Sequence, residues 1–476
     1  MRPKRKRGLV IAGGVVALII IAGIIAALLF NINSYKSKIE TAASEATALD
    51  VRINGKMGLS FFPLGVSAKN IRVTGEGAEL LSIEKLKVGL KLMALLKRRL
   101  EVTRCVFVKP SVAIVRTAEG KYNFDSLVRK LAEGPSVAFS LTDLKWSKGT
   151  LVYFDKKEGE KTELKEINLA VKNLSIADIS GEVVKIASFT GSFDCKEALR
   201  KDLRIDGLKA SMKADKGVYS LKSFTMDVLG GKGEGDATAD ESEADAVYTI
   251  NLKVSKFDFE KLEESFGFKK VIGGKGDLSA SLTAKEKGHG NLMSSLDGTF
   301  ALRGDNLVST TMDLDKVLSE YASSQKFHLV DLGAYFIAGP LGAVALTGYR
   351  YGDVYYQTQG GKGAITQFIS YWKIRNGVAD ATDCALATHH NRVALRGKLD
   401  LVSERFDNVM VALLDDRGCA ILKQGIGGSF SSPRVGTLSA VESLAGPFLD
   451  LYRKAKRFVQ GGKCEVFYGG SVQQPR

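Results

Sequence analysis

Residues 246–254 read Ala-Val-Tyr-Thr-Ile-Asn-Leu-Lys-Val, and residues 277–284 read Asp-Leu-Ser-Ala-Ser-Leu-Thr-Ala. Ala246, Tyr248, Ile250, Leu252 and Val254 fall on every second position, with Thr249, Asn251 and Lys253 between them. Leu278, Ala280, Leu282 and Ala284 repeat the pattern against Asp277, Ser279, Ser281 and Thr283. Side chains of a strand alternate between two faces, so period two marks strands that are apolar on one side and wet on the other. Outward from there the same period recurs. Leu86, Val88, Leu90 and Leu92 alternate with Lys85, Lys87, Gly89 and Lys91. Leu100, Val102, Val106 and Val108 form another such row, broken by Arg104. Val393, Leu395, Leu399 and Leu401 alternate with Arg396, Lys398 and Asp400. Val409 to Leu414 is apolar throughout and reads as a strand buried on both faces.

Glycine-rich turn signals divide these runs: Gly75-Glu76-Gly77, Gly159, Gly217, Gly230-Gly231, Gly273-Gly274, Asp297-Gly298 and Asn376-Gly377. Glycine is plentiful (50) and proline scarce (8), which suits turns and bulges rather than a disordered chain. Helical spacing is confined to 31–49, Asp125–Glu133, Asp258–Phe266, Met312–Ser324 and about Leu444–Val459. Many strands therefore offer an apolar face, and few helices are there to cover them. The faces either close on one another as a sandwich or barrel, or curl into an open groove. The residues alone favour the closed sandwich.

The N-terminus carries a different signal. Leu9 to Phe30 is a run of 22 residues without a charge, beginning Leu9-Val10-Ile11, passing through Ile19-Ile20-Ile21 and ending Leu28-Leu29-Phe30. About 20 apolar residues cross a bilayer core as a helix. Arg2, Lys4, Arg5, Lys6 and Arg7 precede it, while Lys36 and Lys38 beyond it are mixed with Glu40, Glu45 and Asp50. The positive-inside rule then places residues 1–8 in the cytoplasm and everything after Phe30 outside. A cleaved signal peptide would have a shorter apolar stretch. The expected location is the inner membrane, single-pass, with the bulk in the periplasm.

The formal net charge is +15, gathered at the N-terminus, between Lys85 and Lys109, and between Arg453 and Lys463. Such surfaces attract phosphate groups. The topology argues against nucleic acid, as does the lack of a basic groove with interleaved aromatics. Lys97, Arg98 and Arg99 form a basic tip and are candidate contacts for lipid headgroups. Pro447 to Val459 reads as a helix that caps the sheet or lies on a membrane surface. No motif for phosphate binding, metalloprotease chemistry or a nucleophilic serine occurs. His389 and His390 are adjacent, so in a strand they would point to opposite faces and could not share a metal. No catalytic residue, metal or cofactor is expected. Of five cysteines, Cys419 and Cys464 are the best candidate disulfide, each beside a short apolar run. Cys105, Cys195 and Cys384 read as structural.

Several stretches together resemble the AsmA family of envelope proteins. They are GLSFFPLGVSAKNIRVTG (58–75), LKVGLKLMALLKRRLEVTRCVFVKPSV (86–112) and GKYNFDSL (120–127) near the start. LDGTFALRGDNL (296–307), WKIRNGVADATDCAL (372–386) and RVALRGKLDLVSERFD (392–407) follow further on. Between about 135 and 290 only the strand texture matches. In the GKYNFDSL box, Asn123 and Asp125 are expected to open the helix at Asp125–Glu133 by accepting from its free N–H groups. The resemblance implies a mainly β fold: an N-terminal transmembrane helix, then an elongated, curved antiparallel β-sheet groove of the chorein type with a few short helices. The regions are a basic tail (1–8), the anchor (9–30), an AsmA-like N-terminal region (31–134), a middle β-region (135–290) and an AsmA-like C-terminal region with a terminal helix (291–476). It further implies that Leu86, Val88, Leu90, Leu92, Leu100, Val102, Val106 and Val108 line a lipid groove. The implied role is passage of phospholipid between inner and outer membrane, or non-catalytic assembly of outer-membrane proteins. The implied partners are membrane lipids, the inner membrane and other envelope proteins.

Overall fold

The computed structural model describes residues 32–91, 101–133, 139–176, 187–265, 270–286, 291–310, 313–316, 336–337, 361–437 and 466–475. The expected anchor at 9–30, the basic tip at 97–99, Cys464 and the expected helix at 444–459 lie outside these residues, as does most of 312–324. No helix among the described residues is long and apolar enough to cross a membrane. The chain divides into two compact units, Met1–Phe193 and Asp194–Arg476.

In the first unit a 3-10 turn (Ile32–Tyr35) leads into α1 (Lys36–Thr47), the helix expected after the apolar run. The strands are β1 (Asp50–Ile53), β2 (Met57–Phe61), β3 (Leu64–Gly75), β4 (Ala78–Leu90), β5 (Val102–Arg116), β6 (Phe139–Asp155) and β7 (Glu160–Ile176). β1 and β2 lie end to end along β3, which pairs with β4, and β4 with β5. One pairing departs from the expected antiparallel sheet: β5 and β6 run parallel. A parallel pair needs a crossover of a dozen residues or more. Here the crossover holds α2 (Asp125–Glu133), so the GKYNFDSL box is the corner of that crossover. β6 then pairs antiparallel with β7.

β8 (Ala187–Arg200) begins in the first unit and ends in the second. The second unit continues with β9 (Leu203–Asp215), β10 (Val218–Val228), β11 (Gly231–Asp240), β12 (Ala246–Asp258), α3 (Phe259–Ser265), β13 (Ile272–Gly273) and β14 (Lys275–Glu286). Then come β15 (Asp297–Ser309), β16 (Gly363–Arg375), β17 (Val378–Ala387), β18 (Arg392–Asp400), β19 (Arg405–Leu414), β20 (Ala420–Ser429) and β21 (Ser432–Val435). From β9 on, neighbours in sequence pair antiparallel, with β14 joining β12 and the short β13 joining β15. Asp297-Gly298 is not a turn. It opens β15, where Gly298 pairs with Leu282 and Ile374, and a Cβ there would sit 2.0 Å from the Ser281 carbonyl oxygen. Gly273 likewise is paired, with Val308 of β15.

Strict alternation fails inside strand after strand. Ala68 and Ile71 lie in one apolar cluster although they are three apart, and Asn70 between them has φ 52°. Val254 and Phe257 flank Lys256 (φ 54°), Leu302 and Leu307 flank Asn306 (φ 54°), and Phe406 and Val409 flank Asn408 (φ 49°), all within one core. A regular strand sends odd spacings to opposite faces. One residue in the left-handed region reverses that parity, so the apolar row continues on the same side. In β5 and β6 the kinks stand side by side. Lys109 (φ 45°) and Lys148 (φ 51°) occupy the gap between the pairs Val108–Ser147 and Ser111–Thr150.

Candidate functional site

The pairing registers assemble the apolar strand positions into rungs. In the first unit one rung runs Leu59–Val66–Val88–Cys105–Leu144–Val171 and the next Met57–Ala68–Leu86–Phe107–Trp146–Leu169. Leu90 pairs with Val102. Of the expected groove residues, Leu86, Val88, Leu90 and Val102 therefore share this face. Val106 and Val108 do not: they stand opposite Lys87 and Lys85 on the other face. The cause is a bulge. Gly89 pairs with Arg104 but Leu90 with Val102, so Thr103 is an extra residue that reverses the parity of β5. Cys105 and Phe107 take the places that an even-numbered row had given to the valines. Leu92 and Leu100 lie outside the described residues.

In the second unit a single rung crosses eight strands: Met212–Leu221–Ala237–Ile250–Leu282–Gly298–Ile374–Ala379. Its exposure is graded. Met212, Leu221, Ala237 and Leu282 are half-buried and Ile250 is 38% exposed, whereas Ile374 is 5% and Ala379 0% exposed. The opposite face of β11, β12 and β14 is a polar ladder. Asn251 donates to Asp236 at 3.0 Å, Ser281 donates to Asn251 at 2.7 Å, and the Thr249 and Thr283 hydroxyls bond at 3.3 Å. One side is thus satisfied by hydrogen bonds, while the other carries the apolar rung, edged by Tyr248, which donates to Glu286 at 3.0 Å.

At its far end that hydrocarbon is sealed. Phe257 and Phe259 pack at the root of α3, with Leu262, Val271 and Ile272 in the same core. Phe336 stacks on Phe368 at 5.7 Å, and its carbonyl accepts from Ser370 Oγ at 2.6 Å and from Trp372 Nε1 at 3.3 Å. The other face of β16–β19 is closed as well. Residues 466–475 lie over Ala385, Ala387, Ala394 and Ala412, with Tyr468 and Val472 in the cluster. Tyr468 donates to Asp383, and Arg392 donates to the Val472 carbonyl at 3.1 Å. Burial and the Asp383 bond push the Tyr468 phenol well above its ordinary value. The closed sandwich that the residues favoured is therefore not formed: each unit is built on one paired set of strands, sealed over part of its apolar face and open over the rest.

The polar side chains make no convergent chemical centre among the described residues. Asp155 accepts from Arg116 at 3.0 Å, Tyr153 at 3.2 Å, and the backbones of Lys157 and Glu158. Partial burial raises its carboxyl, but these bonds outweigh that and hold it below the ordinary range. A cavity of about 900 Å³ mixes Arg204, Lys232, Lys256, Lys261 and Lys275 with four carboxylates. Arg204 there is held by Asp206 at 2.8 Å and by Glu197 at 2.9 Å. No described group of three or more His, Cys, Asp or Glu is arranged to hold a metal ion. His389 and His390 are exposed in the turn between β17 and β18. Cys419 is disulfide-bonded, while Cys105, Cys195 and Cys384 are thiols outside any disulfide.

Asn123 corrects an expectation. It does not cap α2. Its amide donates to the Ala113 carbonyl at 2.7 Å and accepts from Val115 N–H at 3.0 Å, stitching the corner to β5. Asp125 accepts from Tyr122 N–H at 3.0 Å instead.

The sequence profile of the AsmA family matches residues 1–203 and 192–383. The chain belongs to the AsmA family. The match takes in the middle region, where only strand texture was legible, and stops before the 392–407 stretch that also resembled the family. Comparison with curated proteins and with solved structures returned no match. For this AsmA-family chain the candidate site is thus a surface: the open apolar face of each unit.

Proposed function

We propose that this AsmA-family protein is held in the inner membrane by residues 9–30 and shields phospholipid hydrocarbon on its open apolar strand faces. It thereby passes lipid between inner and outer membrane and contributes to outer-membrane biogenesis, without catalysis. The carrying observation is the rung through Met212, Leu221, Ala237, Ile250 and Leu282. It is apolar and continuous in register, half-buried at Met212, Leu221, Ala237 and Leu282 and exposed at Ile250, while its reverse is hydrogen-bonded and wet. Each buried CH₂ is worth about 0.8 kcal/mol, so a 16-carbon chain crossing water unaided faces a barrier of roughly 13 kcal/mol. An apolar face lowers that barrier with no bond made or broken.

The test is native mass spectrometry of the full chain released from membranes. Co-purified phospholipid is expected, and it should fall severalfold in Ile250→Asp. Ile250 is exposed enough for a charge there to leave the fold intact. Lipid-free chain in repeated preparations would refute this reading. The sealed, two-faced core of β16–β19 favours a second one, a scaffold for outer-membrane protein assembly. Crosslinks from that region to an assembly partner, with no lipid bound, would support it.

A further inference from the structure

The β2–β3 hairpin ends in Leu59, Phe61, Phe62 and Leu64, which are 40%, 57%, 88% and 50% exposed. Large apolar side chains grouped at one tip mark a contact site rather than a water-facing surface. Their direction is fixed by four hydrogen bonds. Ser44 accepts from Val51 N–H at 3.0 Å and Glu40 from Ile53 N–H at 2.6 Å. Asn33 accepts from Met57 N–H at 2.9 Å and donates to its carbonyl at 3.2 Å. As the strand numbers rise through 51, 53 and 57, their partners fall through 44, 40 and 33. β1 and β2 thus run antiparallel to the chain that precedes them. The tip lies beyond Asn33 on the side from which the N-terminus arrives, four residues and about 13 Å past Met57. The uncharged run Leu9–Phe30 ends three residues before Asn33. Lys87 Nζ sits 3.4 Å from the Phe62 carbonyl, so a cation stands at the collar of the tip. Leu59 pairs with Val66 and Phe61 with Leu64, so the tip is also the end of the first unit's apolar face.

We propose that Leu59, Phe61, Phe62 and Leu64 dip into the outer leaflet of the membrane that holds residues 9–30, joining the apolar face of the first unit to bilayer hydrocarbon. This rests on the anchoring reading given above. Such a tip gains burial at the boundary of headgroups and acyl chains, about 5–10 Å deep, while Lys87 keeps its ammonium at phosphate level. The rung Leu59–Val66–Val88–Cys105–Leu144–Val171 is then the first apolar step a lipid meets on leaving the bilayer.

The test places a reporter on the full chain in vesicles of phosphatidylethanolamine and phosphatidylglycerol carrying shallow bromine labels. Phe62→Trp is compared with Glu158→Trp, whose exposed turn joins β6 and β7 at the other end of the sheet. The emission of native Trp146 and Trp372 is subtracted from both. Phe62→Trp is expected to be quenched roughly twofold more than Glu158→Trp, the depth of an interfacial insertion. Equal quenching at both sites, with the chain still sedimenting with vesicles, overturns the tip and leaves the anchor standing. So does a tip that crosslinks to a second copy and is not quenched. A chain that fails to sediment overturns both.

Discussion

Asn123 shows how much of the first unit rests on one amide. It is 3% exposed, and its two bonds to Ala113 and Val115 hold the crossover corner against β5. Asn123→Ala removes both bonds from a part-buried carbonyl and N–H, at about 1 kcal/mol each. A clear drop in the urea midpoint of the full chain, concentrated in the first unit by hydrogen exchange, is the expected outcome. Glu263 is the second such residue. It is 4% exposed, and its carboxylate accepts from Val271 and Ile272 N–H at 2.9 and 3.2 Å. Burial pushes the carboxyl up to about 8, against the partial pull of those two bonds, with Glu260 adding to the rise and Lys270 opposing it. The folded chain then holds this proton more tightly than the unfolded one, whose carboxyl titrates near 4.3. The associated stability is complete below about pH 4.3 and drains away as pH climbs to about 8. Glu263→Gln should flatten the melting temperature of the full chain across that window. An unchanged slope would mean that the proton is not held there.

Strands, most turns and the first helix were legible because each is a local pattern, and local patterns are what period and turn chemistry report. The kinks were not. A residue such as Asn70 or Asn408 looks like an ordinary polar neighbour, and only the cluster it bridges reveals that it reverses the face. The same holds for the bulge at Thr103, which sent Val106 and Val108 to the lysine side. The β5–β6 pairing was hidden for another reason: parallel and antiparallel partners present the same alternating pattern, and the crossover is visible only as a helix between two strands. Asn408 makes the kink testable. A β-branched residue at φ 49° is strained, whereas glycine is at ease there. Asn408→Val should cost about 1–2 kcal/mol or more, and Asn408→Gly close to nothing. Equal midpoints for the two variants would show that the kink carries no backbone preference.

At the scale of the whole chain, the formal net charge is +15, and in the first unit part of it is kept off the apolar rungs. Lysines 85 and 87 occupy the face opposite the first unit's apolar rungs. The C-terminal tail returns to cover strands far from it in sequence. Cys419, beneath it, is in a disulfide, and we propose Cys464 as its partner. Closing a loop of about 45 residues is worth about 4 kcal/mol by chain entropy. Non-reducing peptide mapping should return the 419–464 pair, and Cys464→Ser should raise hydrogen exchange at Ala385, Ala394 and Ala412. The graded rung of the second unit, bare at Ile250 and packed solid at Ala379, has a further consequence. A gutter closed at one end does not drain; it fills. On the lipid-shielding function proposed above, guests in this unit should therefore saturate at a small whole number per chain as supply increases, and should depart across the rim rather than through the far wall.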